Sequence, residues 1–365
     1  MRSTVPRVQL GVCVASKVDD IGHLVLADQL GYADLWIADS QLLWSDCYVT
    51  MALAALNTTR IRIGTGVAVA GTRTSAVTAA AHATINRLAP GRVFCAVGTG
   101  NTAMRVMGAK PMPIAEFERY LAELRPMLDG EEADVTFRGG TRPVRHLMPE
   151  EGFVAFRPRI PLYVSGFGPR AMAAAVRHGD GLVMSIHPDI DALEHTWARL
   201  DAAAADAGKV LDRSTFLTCT LTTMVVLEPG EPIDSDRVRA ECGAFAIAAL
   251  HYVYEQWKEA GRPDHHPDLP LWDDYVAMLE RVDAERLHQR IHQGHNCWVL
   301  DDEWPFVTAE LIERSCLVGT PEELAGRLDD LGAAGLTQVM ILPPLATRDK
   351  TLRDVAEQVM PLMQR

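Results

Sequence analysis

IRIGTGVAVAGTRTSAVTAAAHATINRLAPGRVFCAVGTGN, Ile61 to Asn101, holds two short apolar runs, Ile61 to Ala70 and Val93 to Gly98, on either side of a helical stretch from Ser75 to Leu88. Both runs are nearly continuous rather than alternating, which is the pattern of strands covered on both faces by helices. The unit therefore reads as strand, helix, strand with a parallel pairing.

The same unit recurs outward in both directions. Val8 to Ala15, Ala33 to Ala38, Pro161 to Ser165, Gly181 to Ile186, Phe216 to Leu227 and Thr337 to Leu342 complete a set of eight candidate strands. Helix-compatible stretches separate them, with Gly31 and Gly179 placed to cap two of the helices. Eight such units point to a (β/α)8 TIM barrel, an α/β fold needing roughly 250 residues, and leave on the order of 100 residues for insertions. Two segments can hold them: 130–159 after the fourth strand, read as a hairpin or lid, and 228–318 after the seventh, read as mainly helical. The second contains two helical patterns, Arg237 to Ala260 and Trp272 to Ile291, around Gly261 to Pro270. No linker or repeat interrupts the chain, so a single domain over 1–365 is expected. A doubly wound open sheet is the alternative. The first strand, however, runs into Ala15-Ser16-Lys17-Val18-Asp19, without the GxGxxG turn of a standard dinucleotide-binding half.

The 365 residues are 48% apolar and carry a net charge of -13, with no basic stripe, so nucleic acid is an unfavourable partner. No apolar window approaches the roughly 20 residues that cross a bilayer. The seven cysteines are scattered singly, with no CxxC and no zinc-type spacing, so no metal is expected. The first residues lack a small-residue cleavage site after an apolar stretch, and a cytoplasmic location is expected.

In a barrel the chemistry sits at the strand C-termini. The second strand ends in Asp39-Ser40, a carboxylate and a hydroxyl that are candidate catalytic groups; Asp39 as the cap of a following turn is the ordinary alternative. The third run carries small residues at its end, where a planar ring can approach and a bulge can sit; an ordinary turn with Ser75 as helix cap is the other reading. The fourth ends Thr99-Gly100-Asn101, whose backbone N–H groups can hold an anion or ring oxygens. The fifth ends Ser165-Gly166-Phe167-Gly168-Pro169-Arg170 directly before a helix, and that helix N-terminus with Arg170 favours a phosphate.

Thr72 to Asn101, Met104 to Glu131, Pro161 to Ile186 and Gly319 to Pro343 together resemble the bacterial-luciferase-like superfamily of barrels, nearest its methylenetetrahydromethanopterin reductase-like branch. The resemblance spans most of the barrel but not 228–318. It implies an oxidoreductase using either reduced FMN with oxygen or the deazaflavin coenzyme F-420 for hydride transfer. By position, it places Gly66, Val67, Ala68, Val69 and Ala70 behind the ring, where the family often has a non-prolyl cis peptide. Thr99, Gly100 and Asn101 then meet the ring edge or ribityl chain, and Ser165, Gly166, Phe167, Gly168 and Arg170 the phosphate. The chain departs from the branch at Ser40, where a histidine is common.

Replacement proton donors are sought in the insertion. His288 and His292 are four apart on one helical face and His295 lies just beyond, so all three are candidate catalytic groups facing the barrel mouth. Ordinary helix-terminal histidines are the plain alternative. Three functions remain open: F-420-dependent hydride transfer to or from a small organic substrate, which is favoured; a reduced-FMN monooxygenase; and a non-catalytic flavin-binding protein. A flavin or F-420 reductase supplying reduced cofactor and a homodimer or higher homo-oligomer are the expected partners.

Overall fold

The computed structural model describes residues 7–185, 188–263, 269 and 271–363. Eight parallel strands, β1 Gln9–Val14, β2 Asp34–Ile37, β3 Arg62–Thr65, β4 Val93–Gly98, β5 Leu162–Ser165, β6 Gly181–Met184, β7 Leu217–Thr222 and β8 Gln338–Ile341, pair in sequence order around a ring. Pairing of β1 with β8, Gln9 opposite Gln338, closes it. The doubly wound alternative is thereby excluded, because an open sheet has two unpaired edges and this one has none.

The eight apolar runs contain the eight strands, and two of the runs continue well past a strand's end. The third run stops at Thr65 and resumes as Ala68–Val69, which pair again with β4. The seventh stops at Thr222; Met224–Val226 then leave the barrel and pair in parallel with Leu317–Gly319. Ile186, counted with the sixth run, and 264–268 and 270 in the Gly261 to Pro270 stretch lie outside the described residues.

Inside the ring, Trp36, Phe94, Tyr163, Cys219 and Met340 form the apolar filling. Below them Asp34, fully buried, accepts from Arg62 Nε and Nη2 at 2.6 Å and from Gln338 Nε2 at 2.7 Å, and Gln338 Oε1 accepts from Trp36 Nε1 at 3.0 Å. A buried carboxylate is tolerated there because both of its oxygens have a charged or amide donor. Helices Gly22–Leu30, Cys47–Asn57, Ser75–Leu88, Ile114–Leu128, Pro169–His178, Ile190–Asp206, Pro321–Ala333 and Arg348–Asp354 follow the strands and cover the outside. Gly31 closes the first in the left-handed region at φ 86°, while Gly179 ends its helix in extended backbone. The cap of Ser75–Leu88 is Thr74 rather than Ser75: Thr74 Oγ1 accepts the Val77 N–H, and the Ser75 hydroxyl donates to Glu123 at 2.7 Å.

The 130–159 segment holds an antiparallel hairpin, Ala133–Phe137 with Gly140–Val144, hydrogen-bonded to Glu123 on the barrel flank. The 228–318 segment folds around its own apolar cluster, including Cys242, Leu250, Tyr254, Tyr275, Phe306 and Ile312. Its first helix is Asp236–Glu259. The pattern from Trp272 to Ile291 is not one helix but two, Trp272–Leu279 and Leu287–His292. Between them the Asp283 side chain accepts the Glu285 N–H at 3.0 Å, a local turn that competes with helix continuation.

Candidate active site

The floor of the barrel mouth is built where β2 to β5 end. After Thr65 the chain makes a cis peptide at Gly66–Val67, and the half-buried Val67 side chain packs on the barrel filling. Asp39, beyond β2, accepts the Val69 N–H at 3.1 Å and Arg73 Nη1 at 2.9 Å; Arg73 also reaches Asp46 at 3.0 Å and lies over the Tyr48 ring at 4.6 Å. The charge of Asp39 is therefore committed to holding the Ala68–Ala70 segment. Ser40 is half-buried, and its carbonyl accepts from Leu43 and Trp44 N–H in the turn that follows.

Gly98 makes the floor compact: a Cβ there would stand 3.0 Å from Val67 Cγ2 and 3.3 Å from Ser165 Cβ. Gly100 takes φ 85°, which turns the chain from β4 into the short helix Asn101–Arg105. The Thr99 carbonyl accepts the Met112 N–H, and Asn101 Oδ1 accepts from Arg105 Nε at 2.7 Å. Beyond Ser165, Gly166 is buried against Ala171, while Phe167, Gly168 and Arg170 are exposed. Gly168 begins helix Pro169–His178 with no side-chain cap and open space around its Cα, and Arg170 has no ion pair among the described residues. At the end of β1 the Ser16 hydroxyl is buried without a hydrogen-bond partner.

These residues fit a planar heteroaromatic ring bearing a ribityl phosphate. The bulge offers a flat backing, Ser16 an unused hydroxyl, and the uncapped helix N-terminus with a free guanidinium an anion site. Alongside lies a cavity of about 300 Å3 lined by Phe167, Met172, Met184, His195 and Arg199.

The insertion forms the roof. Phe245 packs onto the barrel filling, Tyr252 OH bonds Thr102 Oγ1, and Arg105 grips Glu259 at 2.8 and 2.9 Å. From the β2 side, Trp44 Nε1 donates to Cys297 Sγ at 3.3 Å. His295 sits between these parts, its ring 6.1 Å from Trp44, 6.0 Å from Tyr252 and 5.6 Å from His292. Burial, then the neighbouring His292 and His251, push its pKa well below the usual imidazole value, so it is neutral at pH 7. His292 Nε2 is 3.3 Å from Glu255 Oε1, and His251 bonds Glu303 at 2.9 Å. Burial raises the Glu303 carboxyl, but the bonds from His251 and Arg290 outweigh it and hold the group below the ordinary range.

Two of the three sequence candidates in the insertion thus come together at the roof, His292 and His295. His288 is half-buried and turned toward Gly108 instead. Among the described residues no three His, Cys, Asp or Glu side chains are placed to hold a metal. Sequence reading missed Ser16, Trp44, Tyr252, Glu255 and His251. The last three share a stretch of one helix in an otherwise apolar run, a polar stripe that was legible; the first two lie in loops with no distinguishing spacing.

Residues 19–338 match the family model described as luciferase-like monooxygenase. The 5,10-methylenetetrahydromethanopterin reductase of Archaeoglobus fulgidus is 25% identical over 93% of this chain and 94% of its own. The solved coenzyme F-420-dependent tetrahydromethanopterin reductase of Methanopyrus kandleri superposes with a TM-score of 0.71 at 18% identity, covering 98% of this chain and all of its own. The oxygenating constituent of 3,6-diketocamphane monooxygenase from Pseudomonas putida, in complex with FMN, gives 0.65 at 17% identity over 98% of this chain and 100% of its own.

Proposed function

The chain belongs to the luciferase-like monooxygenase family, and we propose that within it the protein is an F-420-dependent oxidoreductase transferring hydride to or from a small organic substrate. The observation that carries this reading is the continuous platform from the Gly66–Val67 bulge to the uncapped helix at Gly168, roofed by a buried, neutral His295. The likeness to methylenetetrahydromethanopterin reductases, together with the F-420-dependent enzyme of Methanopyrus kandleri, supports the deazaflavin over FMN. When bound, the ring supplies two-electron hydride chemistry.

The chain's own residues do the rest. Val67 to Ala70 back the ring, Ser16, Thr99, Gly100 and Asn101 meet its polar edge or the ribityl chain, and Gly168 with Arg170 hold the phosphate. Phe245, Trp44 and Tyr252 exclude water from the mouth, which strengthens every charge interaction beneath them. His295 holds or gives the proton that accompanies hydride movement; being a weak base, it releases a proton readily once it has one. Asp39 acts by fixing the bulge, and Ser40 by starting the turn that presents Trp44.

The FMN-bound neighbour favours a second reading, a reduced-FMN monooxygenase with the insertion as its lid. Parallel fluorimetric titrations with F-420 and FMN separate the two. Tight F-420 and weak FMN binding is expected; the reverse preference replaces the first reading with the second, and binding of neither removes both.

We further place the protein in the cytoplasm, where a separate F-420 or flavin reductase supplies reduced cofactor. Its seven free cysteines, six of them buried, suit a reducing compartment, and no described helix is long and apolar enough to cross a membrane. We also assign it a homodimer. Helices Cys47–Asn57 and Ser75–Leu88 pack side by side, expose Val49, Leu56, Val77 and Leu88, and carry one Lys, Arg, Asp or Glu between them, Arg87. In a chain of net charge -13, an uncharged apolar face is where two copies meet with least repulsion.

A further inference from the structure

The His292 ring is 1% exposed, and neither of its nitrogens has an aligned hydrogen-bond partner, although Nε2 stands 3.3 Å from Glu255 Oε1. One side of this ring faces His295, with centroids 5.6 Å apart and planes at 70°. The residue also lines a cavity of about 520 Å3 whose wall includes exposed Leu42 and Arg286. His292 is thus the residue between a solvent-open chamber and the neutral histidine of the barrel mouth. His295 itself has one nitrogen, Nε2, engaged with the Asn296 amide at 2.9 Å, and its Nδ1 is buried and unpartnered.

We infer that His292, steadied by Glu255, is a positioning residue that passes protons from the chamber to His295. The inference rests on the reading that His295 serves the reacting substrate. In each reductive turnover an N–H bond of protonated His292 breaks as one forms on neutral His295, the resulting His295 imidazolium gives its proton to the substrate and returns to neutral, and His292 recovers its proton from a hydronium ion in the chamber. Glu255 carries the compensating negative charge, so the transient imidazolium is not isolated in a low-dielectric surround. Its second oxygen has no hydrogen-bond partner and lies 3.6 Å from Arg105 Nε, so the guanidinium acts on the carboxylate through charge alone.

The test uses the full chain without cofactor or substrate. In 15N-labelled protein, exchange of the His295 ring N–H with water is measured by saturation transfer in the native chain, His292→Phe and Glu255→Gln. Exchange is expected to fall by about 10²-fold in His292→Phe, the low end of what a positioned proton-transfer group contributes. Glu255→Gln should move it in the same direction. A variant that merely loosened the packing would speed exchange, so slowing is not a packing effect. Exchange that stays unchanged or rises in both variants overturns the relay. Failure to bind F-420 strikes the cofactor reading alone, because this measurement involves no cofactor.

Discussion

Val69 gives its backbone N–H to Oδ2 of Asp39 at 3.1 Å, and that bond ties the end of β2 to the bulge that follows β3. Asp39→Ala strands the Val69 N–H and leaves the Arg73 guanidinium with Asp46 alone. A loss of about 1.5–3 kcal/mol is expected in urea denaturation, the range for hydrogen bonds to a charged group. F-420 affinity should fall with it. Asp39→Asn, which keeps an acceptor, should cost less, and equal stability of native and Ala forms would refute the anchoring role.

Arg170 is exposed and unpaired, so Arg170→Ala should leave the melting temperature unchanged while weakening cofactor binding by about 1.5–3 kcal/mol. Fluorescence titration reads this as a roughly 10- to 150-fold rise in Kd. An unaltered Kd would mean that the phosphate lies elsewhere.

Gly100 cannot accept a side chain quietly. At φ 85° an added Cβ would stand 2.5 Å from Val69 Cγ1 and 2.9 Å from Met104 Cγ. Gly100→Ala should destabilise the chain by about 1–3 kcal/mol and disturb the bulge through Val69. The check is a denaturation midpoint alongside a cofactor titration; a neutral result in both would show that the loop relaxes freely.

Acid should weaken the fold before its carboxylates titrate. Burial lowers His23 and His82 to about 4 and His295 well below its normal value. As pH falls below about 6.5, the unfolded chain binds protons that the folded one refuses, so stability drops down to about pH 4. Each such histidine contributes a slope of up to about 1.4 kcal/mol per pH unit. His295→Gln should flatten the curve of denaturation midpoint against pH between 6.5 and 4; an identical slope would show that His295 titrates normally.

Leu56→Glu or Val77→Glu places charge in the centre of the exposed apolar face. Light scattering should then report a monomer where the native chain reports a dimer. A native chain that is already monomeric would remove the assignment.

The barrel was legible because its physics is local: strands covered on both faces are nearly continuous in apolar residues, and the eight runs from Val8 to Leu342 are, with Asp34, Arg62 and Gln338 excepted because they pair with one another. Even where the third and seventh runs end early, the extra residues are apolar for a reason, since Ala68–Val69 and Met224–Val226 are buried in other pairings. The Gly168–Arg170 helix start could also be read directly from its Gly-Pro-Arg order. The roof was legible only in part. His292 and His295 stood out together, but their meeting with His251 and Glu255 of the earlier helix is set by packing around Tyr254 and Tyr275. The role of Asp39 was hidden for the same reason, because its partners Val69 and Arg73 are thirty or more residues away.

The parallel pair Met224–Val226 and Leu317–Gly319 sets the exit and return points of the insertion side by side. Everything between them is gathered around a hydrophobic centre of its own, so the excursion is a cassette with adjacent splice points. Recombination at that neck can exchange one roof for another while the eight strands and the helix that starts at Gly168 pass through unaltered. A single ancestral barrel can therefore be refitted for new substrates by swapping one continuous piece of gene rather than by accumulating scattered changes.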